Sequence, residues 1–204
     1  MNRVMVSMNK KQRIVKHNEQ MLTHFEGIYA PEKKKIVFGD GDPRARIVLI
    51  GEAPGEQEAL QGKPFVGKAG KILDDFLEKT EIRREDIYIT NVVKLRPTAI
   101  SKAGRTVNRA PSKEEIALFR PWLQKELELV EPEYIVTLGN VALKAMTDKK
   151  NAVIGDFHGK IYSGGAMGAH LFPLYHPAAV IYNRALKEIY EGDLETLRLL
   201  LRRG

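Results

Sequence analysis

Four short runs of apolar and β-branched residues, at 46–50, 87–93, 134–138 and 170–175, punctuate this chain, and a stretch of helical periodicity follows each. Such alternation constrains the fold strongly, because strands separated by helices form parallel βαβ units. The expected class is α/β: a three-layer α/β/α sandwich with a central four-stranded parallel twisted sheet. Residues 69–80 put Ile72, Leu73, Phe76 and Leu77 on one helical face. Ser112-Lys-Glu-Glu115 reads as a capping box that opens a helix running to Val130 and bent at Pro121. A shorter helix is expected over 140–146, and a longer one over 183–203, where Leu186, Ile189, Tyr190, Leu194, Leu197 and Leu201 form a stripe interrupted only by Gly192.

In open parallel sheets ligands collect beyond the carboxyl ends of the strands, so the segments that leave each run carry the functional information. They read GEAPGEQE, Asn91-Val-Val-Lys-Leu-Arg-Pro97, Gly139-Asn140 and Tyr175-His-Pro-Ala178, which gathers a carboxylate, an amide, an imidazole and basic groups at one sheet edge. Gly51, Pro54 and Gly55 allow a sharp turn and a close backbone approach, but GEAPG lacks the spacing of a dinucleotide or phosphate loop, and a plain βα turn fits it as well. Taken singly, Asn91 also suits a turn or cap, and His176 and Phe65 also suit a core.

Charge adds a direction. Lys and Arg number 33 against 26 Asp and Glu, for a net +7, which favours a polyanionic partner. Lys94, Arg96, Lys102, Arg105, Arg109 and Lys113 fall in one segment without an acidic residue, at the same edge as the candidate site, and phosphate-backbone binding requires such a surface. The clusters at 10–13, 33–35 and 202–203 have no such link and read as surface. There is no cysteine, which excludes disulfides, zinc-thiolate sites and cysteine-ligated iron–sulfur clusters. MNRVMVSMNKKQR has too short an apolar run for a signal peptide, and no stretch approaches a membrane span, so a soluble, cytoplasmic protein is expected.

Together the segments GEAPGEQEALQGKPFVGKAG, NVVKLRP, NRAPSKEE and YHPAAVIYN resemble, in order and spacing, the family 4 uracil-DNA glycosylases of the uracil-DNA glycosylase superfamily, over about residues 36–184. The resemblance implies one glycosylase-like domain over 1–204, with an N-terminal helical extension over 1–35, a core over 36–184 and a C-terminal helix over 185–204. It also implies a DNA repair enzyme that hydrolyses the N-glycosidic bond of uracil in DNA and leaves an abasic site. Glu52 matches the acid that orients water at the sugar C1′ and stabilises an oxocarbenium-like cation, and His176 the histidine that hydrogen-bonds uracil O2. Asn91 matches the amide that reads the uracil edge, Phe65 the ring that stacks on the extruded base, and Glu58 a pocket acid near C5; Ala53 and Gly55 belong to the same substrate-binding loop. Lys94, Arg96, Arg105 and Arg109 are expected on the DNA, as are Ala178 and Arg184, which bound an intercalating or minor-groove segment. The implied partner is uracil-containing DNA, bound by a monomer.

Two positions depart from the family. Its four cluster cysteines are missing: Leu95 and Phe119 stand where two of them would be, and the region 23–35 supplies none. No cofactor or metal is therefore expected, with apolar packing in place of the cluster. Ala59 replaces a customary aspartate, which leaves hypoxanthine or xanthine as an alternative base, and a non-catalytic DNA-binding relative as the alternative from another class. An inserted arginine-rich loop like that of the covalently DNA-joining branch is absent from GEQEALQGKPF.

Overall fold

The alternation of buried strands and amphipathic helices resolves, in the computed structural model, into a mostly parallel sheet covered on both faces. The structure describes residues 8–29, 34–147, 149–164 and 166–202; Lys33 and Arg203, two of the basic residues read as surface, lie outside them. The parallel strands are β2 (Ile47–Gly51), β3 (Ile87–Asn91), β6 (Tyr134–Leu138) and β7 (His170–Leu174), and a two-residue strand, β1 (Asp40–Gly41), pairs antiparallel with β3. The order across the sheet is β1-β3-β2-β6-β7. The four expected strands are thus present, with β1 as an unforeseen edge too short to carry a periodic signal.

Side chains along β2 alternate between the faces, as a strand's two-residue period demands. Val48 and Ile50 join Met21, Phe25, Phe119, Leu123, Leu127 and Ile154 on the side of α1 (Lys10–Tyr29), α4 (Lys113–Val130), α5 (Asn140–Thr147) and the short α6 (Ile154–Phe157). Ile47 and Leu49 join Leu73, Phe76, Leu77, Tyr190, Leu194 and Leu197 on the side of α3 (Lys68–Lys79), α7 (Pro177–Tyr182) and α8 (Leu186–Arg202). The capping box forms as expected: Glu115 N donates to Ser112 Oγ at 3.2 Å, and Ser112 N donates to the Glu115 carboxylate at 2.7 Å. Among the described residues no helix is long and apolar enough to cross a membrane.

Two departures from the periodicity reading concern the functional edge. The basic segment is not a loop: β4 (Thr98–Ile100) and β5 (Thr106–Asn108) pair as a separate antiparallel hairpin. The second strand also ends at Asn91, two residues early. Val92 and Val93 leave the ladder but stay tied to the neighbouring chain, their N–H groups donating to the Gly51 and Glu52 carbonyls at 2.9 and 3.1 Å. The chain leaves β2 toward β3 on one side and returns to β6 on the other, so the strand order reverses between β2 and β6. A crevice opens beyond strand ends at such a reversal.

Candidate active site

Gly51 closes β2 beside Asn91, its register partner on β3. A Cβ on Gly51 would lie 2.4 Å from Asn91 Oδ1 and 2.6 Å from Phe65 Cζ. The amide and the aromatic ring therefore meet over a position that only glycine can occupy. Phe65 itself holds φ +54°, a left-handed conformation that costs a non-glycine residue about 1–3 kcal/mol and persists only where the surroundings impose it. Two contacts impose it. The Glu58 carboxylate, from α2 (Glu56–Gln61), accepts hydrogen bonds from Val66 N at 3.1 Å and Gly67 N at 2.8 Å. Gly70, in the first turn of α3, lets that helix press against the loop, since a Cβ there would fall 1.9 Å from the Phe65 carbonyl oxygen.

Beside the Phe65 ring His176 caps α7, with Pro177 at the first helical position where its missing N–H costs nothing. The Ala178 backbone N–H donates to His176 Nδ1 at 3.2 Å. Nδ1 thus keeps its lone pair, and the neutral ring carries its proton on Nε2. Burial holds the imidazole pKa down to about 4, against a weaker opposite pull from the Glu58 charge. The Phe65 and His176 ring centroids are 6.0 Å apart and inclined by 30°. Gly139, at the end of β6, has φ +86°, and a Cβ on it would come within 3.1 Å of His176 Cβ.

Glu52 follows Gly51 directly and is half-buried, and burial raises its carboxyl pKa. Its backbone carbonyl accepts from Val93 N, which links the acid to the segment carrying Asn91. Gly55 stands over Glu58, whose Oε2 would be 2.7 Å from a Cβ there. Ala53 packs its methyl against the α1/α4 core, so what it can offer a ligand is its backbone. Ala59 lies in α2, half-buried.

The basic residues separate into distinct environments. Lys94, expected on the DNA, is corrected by the structure: its side chain is fully buried, paired with Glu126 at 2.5 Å and donating to Thr90 Oγ1, so it cannot reach a solvent-side ligand. Arg96 pairs with Glu56 at 3.2 Å and donates to Asn108 Oδ1 at 2.7 Å, and Arg109 forms a two-point contact with Glu115 at 2.6 and 2.8 Å. Arg105 and Arg184 are exposed; Ala178 is half-buried behind His176. Glu126 escaped the sequence reading, although an acid beside Leu123, Leu127 and Val130 on the apolar stripe of α4 was a visible signal of a buried partner.

A family model described as the uracil DNA glycosylase superfamily matches residues 38–197. The chain belongs to that superfamily. It is 39% identical over 172 residues to the type-4 uracil-DNA glycosylase of Saccharolobus solfataricus, covering 81% of this chain and 76% of the relative. It is 40% identical over 170 residues to the type-4 uracil-DNA glycosylase of Archaeoglobus fulgidus, covering 81% of each. Among solved structures, SMUG2 of Pedobacter heparinus shares the fold, with a TM-score of 0.55 at 17% identity over 79% of this chain and 77% of that one.

The iron–sulfur cluster implied by the family-4 resemblance does not fit these residues. Leu95 and Phe119 are both fully buried, and the Phe119 ring stacks on Phe25 of α1 at 4.3 Å and 18°. The whole sequence has no thiol to ligate iron. Among the described residues no group of His, Asp or Glu is arranged to hold a metal ion.

Proposed function

We propose that this superfamily member is a monofunctional uracil-DNA glycosylase, hydrolysing the N-glycosidic bond of uracil in DNA with water as nucleophile and leaving an abasic site. One observation carries the reading: the Asn91 amide and the Phe65 ring meet over Gly51, the His176 imidazole lies 6.0 Å from that ring with its Nδ1 accepting from Ala178 N–H, and a half-buried carboxylate follows Gly51 in the chain. The base leaves the duplex to reach this crevice and stacks on Phe65. Asn91 accepts from uracil N3–H and donates to O4, a pattern that cytosine mismatches. As the C1′–N1 bond lengthens, negative charge grows on the base, and His176 Nε2–H donates to O2. A neutral donor whose tautomer is already set by Ala178 N–H needs no reorganisation at that moment. The Glu52 carboxylate orients the attacking water, takes its proton and stabilises the cationic sugar.

Ala53 and Gly55 offer backbone to the base, and Glu58 holds the loop that presents Phe65. Arg105 and Arg184, with Arg96 and Arg109 of the neighbouring ion pairs and Ala178 on α7, approach the DNA strand. In this reading the enzyme is a cytoplasmic monomer of one domain that needs no cofactor; α1 (Lys10–Tyr29) stands for the expected extension over 1–35 and α8 (Leu186–Arg202) for the expected closing helix over 185–204, and residues 1–7, 30–33 and 203–204 of those spans lie outside the described residues.

The test is single-turnover cleavage of labelled oligonucleotides bearing uracil, hypoxanthine, xanthine or thymine, followed by alkaline scission. Uracil alone is expected to be released, and Glu52→Ala is expected to lower the rate by about 10²–10⁴-fold, the usual contribution of a positioned acid or base. Release of a purine instead would move the specificity, and release of nothing would sink the catalytic reading. In the same assay Gly51→Ala is expected to cost about 100-fold or more, because its methyl must displace Asn91 and Phe65 by an ångström or so. An active, normally folded Gly51→Ala protein would place the base elsewhere.

A further inference from the structure

The β4–β5 hairpin carries none of the residues assigned to the base pocket. It pairs only with itself as a two-stranded sheet, and every residue from Ala99 to Ala110 except Ser101 is exposed. Ile100 is 71% exposed and Val107 41%, in strands too short to bury either against the body.

Its base, by contrast, is fastened to the site. Arg96 joins Asn108 of β5 to Glu56 of α2, and Arg109 Nε donates to the Thr98 carbonyl at 3.1 Å while its guanidinium holds Glu115. Those contacts engage the basic groups at the root of the hairpin. At the tip, the turn is closed by Ser101 N donating to Arg105 O and Gly104 N to Ser101 O, with Gly104 at φ +74°. Lys102 and Arg105 extend from this turn, and among the described residues neither side chain has an ion-pair partner. The positive charge of the hairpin is therefore sorted: Arg96 and Arg109 are paired at its root, and Lys102 and Arg105 stand unpaired at the end of a two-stranded ribbon about 10 Å long, three strand residues at roughly 3.3 Å each.

We propose that this hairpin is a groove-binding ribbon for duplex DNA, acting beyond the extruded nucleotide. The major groove, about 12 Å wide, admits a two-stranded ribbon. Lys102 and Arg105 then hold phosphates of the groove rims, and Ile100 makes apolar contact inside it. The proposal rests on the glycosylase reading only for the identity of the duplex, which carries the uracil that the pocket receives. It differs from a general cationic surface in requiring two strands, since a ribbon has a groove to enter only in a duplex.

The experiment is fluorescence anisotropy of a uracil-free duplex and of the matching single strand, over a salt series. It compares the wild type, Lys102→Ser/Arg105→Ser, and a second variant in which residues 101–105 are replaced by an Asn-Gly turn. Both variants should keep the wild-type unfolding midpoint. Duplex Kd is expected to rise about tenfold in each, and the slope of log K against log salt to fall by about 1.8 for two lost phosphate contacts. The single-strand Kd is expected to change less than about twofold, since the groove is missing there. Unchanged duplex affinity and slope would overturn the proposal, as would an equal loss on the single strand. If the wild type releases no uracil yet the variants lose duplex affinity selectively, the glycosylase reading fails and the hairpin assignment stands; uracil release with unaltered duplex affinity is the reverse.

Discussion

Replacing His176 with alanine is expected to lower the single-turnover rate of uracil release by about 10²–10³-fold, the typical loss when one pre-aimed donor to a developing anion is removed. The physical reason lies in how the ring is held. Ala178 N–H occupies Nδ1, which leaves Nε2–H as the donor, and burial keeps the ring neutral with a pKa of about 4. A neutral donor strengthens its hydrogen bond as charge builds on O2, so its effect falls on the rate more than on ground-state binding. The pH profile separates His176 from Glu52. The carboxylate acts ionised, and burial raises its pKa above the ordinary 4.5, so on acidification activity is lost first as Glu52 takes up a proton, before His176 is charged near 4. The acidic limb should therefore survive in His176→Ala at unchanged pH and vanish in Glu52→Gln. A limb that moves with His176 would show that the imidazole titrates in the working range, against the tautomer argument.

Replacing Lys94 with methionine is expected to destabilise the fold by about 3–5 kcal/mol, because the Glu126 carboxylate is left buried without its cation. Lys94 and Glu126 have no exposed side-chain surface; Tyr88 OH donates to Glu126 Oε1 at 2.9 Å and Thr90 Oγ1 to Oε2 at 3.0 Å. Burial lowers the lysine pKa and the carboxylate opposes that shift. The hydroxyls alone do not neutralise the acid. The double variant Lys94→Met with Glu126→Gln keeps an acceptor for Tyr88 and removes the lone charge, so it should recover most of the loss. Chemical denaturation measures both, and in a chain of this size the single variant should melt about 10 °C lower. The salt slope of DNA binding should be unaltered by the double variant. A changed slope with intact stability would return Lys94 to the DNA surface.

The parts of this protein legible in its residues are those set by neighbours in sequence. Four apolar runs became four parallel strands, Ser112 and Glu115 became a capping box, and the glycine-rich stretch after β2 became a turn that carries Glu52 and leads into α2, which carries Glu58. Strand period, capping and turn chemistry depend on a few adjacent residues, so a linear reading reaches them. Asn91, Phe65 and His176 were ambiguous one at a time and acquired meaning only together, by resemblance to a family.

Tertiary structure decided which charges are spent inside the molecule and which remain outside. Lys94 and Arg105 sit in the same basic segment, but α4 places Glu126 against the first and nothing against the second. No local pattern separates them, since Lys94 and Glu126 are 32 residues apart. Likewise Phe25 of α1 stacks on Phe119 of α4 where the family resemblance implied iron, because helices distant in sequence were brought into contact by folding. The residues themselves determined the strands, the turns and the set of chemical groups at the sheet edge. Burial and pairing across long sequence separations determined what each group is free to do, because desolvation and ion pairing depend on contacts that exist only once the layers have closed.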